Sequence, residues 1–261
     1  MRTRLVFITG TDTGVGKTLL TALLLCHLRS QGVQALALKP FCSGGRADAE
    51  LLHRLQNDDL SLDDINPFYF PEPVAPLISA RQHHRETPLR QAVNHVRWIV
   101  SRMRQVPIRN FSSSIKNSKL GKKSFLLVEG AGGLLVPLGE GYTVRELIAE
   151  LGGDVLVVSR NQLGTINHSL LTLHTLGART AFSAGALPRR PARVGRSVKL
   201  VLMEQRLPDV SSRTNAAILR ELAYPVPLAH LPFLGSNCRS SAALRRAAGE
   251  LRSLLSRLIS L

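Results

Sequence analysis

The chain has 261 residues and carries 34 Lys and Arg against 18 Asp and Glu, a formal net charge of +16. Its 44% hydrophobic content is enough for a sizeable core, which excludes disorder by composition and fits one large α/β domain. So basic a chain suggests nucleic acid or an anionic membrane surface as a first expectation for its partner.

Residues 4–9 read as a short buried strand, followed by a Gly/Thr-rich turn and an apolar helix over about 18–30. A second strand spans 33–39, a turn 41–46, and a helix starts near Ala47. Proline and aromatics at 66–76 predict an irregular loop. Residues 89–103 have helical periodicity with an Arg-rich outer face, and 107–123 read as an exposed basic loop. The strand at 124–129 runs into Gly130, Gly132 and Gly133. Then come a helix at 142–151, a strand at 154–159, a helix at 165–176 and a second basic loop at 178–197. A strand at 198–203, a helix at 211–222 and a last strand at 226–231 precede an amphipathic helix at 241–259, with Leu244, Leu251, Leu254, Leu255 and Leu258 on one face. Alternating strands and helices predict a mostly parallel central sheet with helices on both faces, in a single α/β domain over 1–261.

The charge is unevenly spread. No acid occurs between Glu86 and Glu129, or between Asp154 and Glu204, and these two stretches hold the whole basic excess. The remainder is balanced, so the +16 belongs to two segments and argues against nucleic acid as a partner of the whole fold. Cys26, Cys42 and Cys238 are too scattered for a disulfide framework or zinc site, which predicts reduced thiols in a cytoplasmic protein. Residues 19–26, the longest apolar stretch, are too few to span a bilayer, and the N-terminus reads as a strand without a signal peptide.

The most specific local signal is GTDTGVGKT at 10–18, between a strand and a helix, the context of a phosphate-binding P-loop. Gly10, Thr11, Asp12, Thr13, Gly14, Val15 and Gly16 would wrap a nucleotide's phosphates with backbone N–H groups. Lys17 would reach the β- and γ-phosphates, and Thr18 would hold Mg²⁺. The fold expected is therefore that of a P-loop NTPase. Lys39 leaves the second strand at the same carboxyl edge, followed by Ser43, while Glu129 ends the third strand there. Glu129 and Asp48 are the acidic candidates for Mg²⁺, and Gly130, Gly132 and Gly133 the close-approach residues beside the nucleotide.

Residues 10–18 (GTDTGVGKT), 39–44 (KPFCSG), 66–80 (NPFYFPEPVAPLISA), 128–133 (VEGAGG) and 163–172 (LGTINHSLLT) occur in an order that resembles the dethiobiotin synthetases, P-loop enzymes of biotin biosynthesis. The resemblance implies an ATP- and Mg²⁺-dependent reaction of 7,8-diaminononanoate with CO₂ that closes a ureido ring. It implies that Lys39 grips a substrate carbamate, Lys17 bridges it to the γ-phosphate, and Thr13 and Ser43 hydrogen-bond nearby. Thr18, Asp48 and Glu129 would surround Mg²⁺. Gly164, Thr165, Ile166 and Asn167, at a helix start, would receive the substrate carboxylate across a homodimer interface. Gly14 stands where family members often carry an acid, and the strand at 200–204 lacks the asparagine that commonly reads adenine. A partition-type ATPase, the rival within P-loop proteins, is disfavoured because its early second lysine is missing from 10–13. A non-catalytic nucleotide-binding paralogue using basic loops on nucleic acid lacks a stacking platform, since 178–197 holds a single aromatic, Phe182.

Overall fold

The fold is that of a computed structural model describing residues 2–105, 123–181, 192, 194–235 and 238–259. In chain order it begins with β1 (Arg2–Gly10), α1 (Lys17–Ser30), β2 (Gln34–Leu38), β3 (Phe41–Ser43) and α2 (Ala47–Leu55). There follow α3 (Leu62–Ile65), β4 (Phe68–Phe70), α4 (Pro76–Gln82), α5 (Leu89–Gln105) and β5 (Lys123–Glu129). Next are β6 (Pro137–Gly139), β7 (Tyr142–Thr143), α6 (Val144–Leu151), β8 (Asp154–Arg160) and α7 (Thr165–Thr175). The chain closes with β9 (Val198–Met203), α8 (Ser212–Leu222), β10 (Leu228–Leu231), α9 (Ser241–Glu250) and α10 (Arg252–Ile259).

Six strands form one parallel sheet in the order β10-β9-β8-β1-β5-β2. β2, β8 and β9 bury nearly every residue, as strands covered on both faces must. β1 lies at the centre, so its carboxyl end, the carboxyl ends of β5 and β8, and the residue after β2 converge on one edge. That convergence brings Gly10, Glu129, Arg160 and Lys39 together from distant parts of the sequence. At the opposite edge Lys199 Nζ donates to the Arg257 and Leu258 carbonyls, and Arg4 to that of Ile259. Cations at those helix-end carbonyls fix the C-terminal end of α10. Among the described residues no helix is long and apolar enough to cross a membrane.

The structure departs from the sequence expectations in three places. Residues 41–43, expected in a turn, and 68–70, expected in an irregular loop, pair as a small parallel sheet. Phe41 and Phe68 stack with ring centroids 4.6 Å apart, both buried, so aromatic burial overrides the local proline signals. Tyr142 and Thr143 form β7, opposite β6, rather than the start of a helix. Thr143 is the N-cap of α6 in a capping box with Glu146, a Thr-x-x-Glu signal present in the sequence. The helix expected over 241–259 is two helices that break at Leu251, after Gly249, whose low helix propensity weakens that turn. Of the two basic segments, 107–122 and 182–191 lie outside the described residues, while Lys123 opens β5.

Candidate active site

The P-loop follows β1 directly. Gly10 admits a close approach that no other residue would: a Cβ there would lie 2.7 Å from Val15 Cγ2 and 3.3 Å from Lys17 Cδ. The loop therefore folds back on its own strand. Thr11 continues the sheet, its N–H donating to the Val158 carbonyl at 2.9 Å. Asp12 caps the turn by accepting from Thr13 N–H at 2.6 Å, and its carbonyl accepts from Lys17 Nζ at 2.7 Å. Among the described residues nothing accepts the N–H groups of Gly14, Val15 and Gly16, which leaves a row of donors ahead of α1.

A cavity of about 860 Å³ opens at this edge. Thr13, Gly14, Gly16, Lys17 and Thr18 line it from the loop, and Lys39, Ser43, Asp48, Glu129 and Gly132 from the neighbouring elements. Its centre is an ion cluster. Lys39 Nζ lies 2.5 Å from Glu129 Oε1 and 3.3 Å from Asp48 Oδ2, and Thr18 Oγ1 donates to the same Glu129 oxygen at 2.7 Å. Glu129 is 1% exposed, and its second oxygen, Oε2, is buried with no partner among the described residues. The Ser43 hydroxyl is likewise buried and unpaired. Asn66 holds the backbone behind this cluster, its amide donating to the Lys39 carbonyl at 3.0 Å and the Pro40 carbonyl at 3.2 Å.

Electrostatics separates the two lysines. Burial opposes the charge on Lys39, but Glu129 and Asp48 outweigh it and hold Lys39 above the ordinary lysine range. Lys39 is thus a fixed positive charge. Lys17 is pushed down to about 8, by burial first and by Lys39 second, against the weaker pull of Glu129, Asp12 and Asp48. Burial pushes the Cys42 thiol up to about 11, so it stays protonated and is no nucleophile at neutral pH. The Lys17 shift has a measurable consequence. A protonated Lys17 attracts phosphate, so affinity for ATP is highest below pH 8 and declines as pH rises through it, by about tenfold per pH unit. Calorimetric titration with ATP from pH 7 to 9.5 reads this decline, and Lys17→Arg, which cannot lose its proton, flattens it.

Gly10, Thr11, Asp12, Val15, Gly130 and Gly133, also anticipated for the site, belong to the segments that frame the cavity, although they are not among its lining residues. Gly164, Thr165, Ile166 and Asn167 do not reach it at all. Thr165 is buried, with its hydroxyl 2.5 Å from that of Ser159, while Ile166 is half-buried and Asn167 exposed. Thr165 borders a small pocket of about 50 Å³ on the other flank of the P-loop, with Thr11, Asp12, Thr13, Val15 and Arg160. The sequence reading missed Arg206, Phe233, Cys238 and Arg239, which line the far end of the main cavity. Arg206 and Phe233 follow β9 and β10, and their position just past strand ends at the carboxyl edge was the available signal.

A family model described as an AAA domain matches residues 4–234. The ATP-dependent dethiobiotin synthetase of Anaeromyxobacter dehalogenans (strain 2CP-1) is 35% identical over 248 residues, covering 94% of this chain and 96% of the relative. That of Methanocaldococcus jannaschii is 38% identical over 172 residues, 66% of this chain and 73% of the relative. The chain belongs to the dethiobiotin synthetase family. Among solved structures, the MinC:MinD cell division protein complex of Aquifex aeolicus superposes with a TM-score of 0.50 at 15% identity over 96% of each chain, a likeness of fold alone.

The end of β9 lacks the asparagine that the resemblance implies there. Met203 stands there and lies against the P-loop, its Cε 2.9 Å from where a Cβ on Gly16 would be. Glu204 is taken up by Asn161 at 2.7 Å and His230 at 2.5 Å. Asn215 is buried and holds Asn161, Gln162 and Ser211, so it ties α8 to the β8–α7 loop and does not line the main cavity.

Proposed function

We propose that this protein is an ATP-dependent dethiobiotin synthetase acting in biotin biosynthesis in the cytoplasm. In this reading it carboxylates 7,8-diaminononanoate with CO₂ and closes the ureido ring, releasing ADP and phosphate. The observation that carries the proposal is the Lys39 ammonium, held between Glu129 and Asp48 in the cavity it shares with Lys17 and Thr18.

One substrate amine takes up CO₂ as a carbamate, whose oxygen attacks the γ-phosphate. The second amine then displaces phosphate to close the ring. Carbamate and triphosphate are both anionic, so the protein must hold them together in line. Lys39, permanently charged, grips the carbamate, and Lys17 spans carbamate and γ-phosphate. Ser43, with its unpaired hydroxyl, and Thr13 supply hydrogen bonds beside them. The unpaired N–H groups of Gly14 to Gly16 receive phosphate oxygens.

The residues also suit Mg²⁺. Among the described residues no three His, Cys, Asp or Glu side chains form a metal cage, but Mg²⁺ seldom uses one, taking one or two carboxylates and the phosphates. The orphaned Glu129 Oε2, the Thr18 hydroxyl and Asp48 offer the hard oxygens it prefers. When bound, Mg²⁺ neutralises charge on the β- and γ-phosphates.

The placement of 164–167 outside the cavity fits a site completed by a second copy of the chain, with that helix start receiving the substrate carboxylate. Leu163, just before it, and Leu207 and Val210, on either side of Asp209, are all at least 80% exposed, and Asp209 accepts the Leu163 N–H at 2.7 Å. Such apolar exposure suits a homodimer contact. Incubation with diaminononanoate, bicarbonate and MgATP tests the function: phosphate release and dethiobiotin must both require the diamine. Hydrolysis indifferent to the diamine would refute it.

A further inference from the structure

We propose that Arg160 is a positioning residue of the P-loop, fixing the Gly14–Val15 peptide by gripping the Gly14 carbonyl. The inference rests on the ATP-binding reading of the cavity and concerns a residue outside the P-loop motif. Arg160 is the last residue of β8, which pairs with β1 in a register that sets Val158 beside Gly10. Two residues further on, the arginine stands alongside the loop. Its Nε and Nη2 both donate to the Gly14 carbonyl oxygen, at 3.2 and 2.8 Å. Among the described residues it forms no ion pair with a carboxylate, so the guanidinium fork is committed to one neutral carbonyl.

A peptide is planar and trans, so a C=O and the following N–H point in opposite directions. Holding the Gly14 oxygen toward Arg160 therefore holds Val15 N–H away from it. That N–H is the middle one of the three unpaired donors, and its direction decides whether the loop presents a concave row to an anion. Free rotation of this peptide would cost the loop a donor and expose a carbonyl oxygen to the phosphates. Gly14 is matched to the arrangement: its φ is +62°, and a Cβ there would lie 2.5 Å from Arg160 Nη2. A side chain at 14 would strain this left-handed backbone and force the guanidinium to shift from its grip. Gly14 and Arg160 thus form one unit, in which the restraint on the loop comes from the neighbouring strand.

The test is MgATP titration by calorimetry on the full chain, without diamine, followed by steady-state kinetics. In Arg160→Ala the ATP Kd and KM rise about tenfold, the loss expected for a charge-assisted hydrogen bond, while KM for diaminononanoate stays within about twofold. Gly14→Ala, damaging in the wild type, costs less in the Arg160→Ala background, because the two share one interaction. Arg160→Met keeps the stem and carries the same test where the alanine variant does not fold. An unchanged ATP Kd in a folded variant overturns the proposal, as does a loss confined to KM for diaminononanoate. Because binding is read without diamine, weakened ATP binding in the variant supports the role of Arg160 even if the wild type makes no dethiobiotin.

Discussion

Lys39→Ala lowers kcat for dethiobiotin formation by about 10³-fold and leaves MgATP binding within a few fold of the wild type. The lysine is buried and permanently charged, so it stabilises anionic groups without giving up a proton. It is separated from the nucleotide machinery by role: the unpaired N–H groups, Lys17 and Thr18 all remain when it is removed. One complication follows from the geometry. Lys39 is the only cation forming an ion pair with Glu129 among the described residues, and deleting one partner of a buried pair costs about 3–5 kcal/mol. Thermal melting must therefore accompany the kinetics. Lys39→Gln, which retains a donor for Glu129 Oε1, separates lost charge from lost fold. If the glutamine variant is folded, binds ATP and turns over within tenfold of the wild type, Lys39 has no part in the chemistry.

The sheet and its active edge were legible because they rest on local signals. Buried strands at 4–9, 124–129 and 154–159 stand out as apolar runs ended by glycine or a polar residue, and each lies within a strand of the structure. GTDTGVGKT is compact enough to be read directly. The ion cluster was half legible. Lys39, Asp48 and Glu129 could be placed at one edge by topology, but not the direct contact of Lys39 with Glu129, since a side chain's reach is not a property of spacing. The β3–β4 pair was hidden because its pairing is non-local: Phe41 meets Phe68, and each segment alone resembles a turn. Arg160 was hidden for a similar reason. Its place at the end of a predicted strand marks the active edge, but its partner, Gly14, is joined to it only by the register of β1 with β8. The +16 that first suggested nucleic acid resides in two stretches of sequence, 87–128 and 155–203, whereas the described ion cluster pairs its central lysine with carboxylates.

Glu129→Gln abolishes the tightening of ATP by Mg²⁺ and lowers turnover by about 10²–10³-fold. The substitution is nearly isosteric, so packing around the end of β5 is preserved. In the favourable orientation the amide oxygen replaces Oε1 and still accepts from Thr18 and Lys39. The NH₂ then occupies the place of Oε2, the buried oxygen without a partner, and offers a donor where a cation needs an oxygen. Flipping the amide does not help, because the NH₂ then faces the Lys39 ammonium and the Thr18 hydroxyl. Lost metal affinity and a disturbed Lys39 are separable. Lys39 keeps Asp48 as a counter-charge, and its own removal leaves the response of ATP binding to Mg²⁺ intact. Titrating ATP with and without Mg²⁺ in wild type, Glu129→Gln and Lys39→Gln makes the comparison. Asp48→Asn, at a half-exposed position, weakens the Mg²⁺ response less than Glu129→Gln. A full Mg²⁺ response in Glu129→Gln would move the metal away from Oε2 and leave Glu129 as the anchor of Lys39 alone.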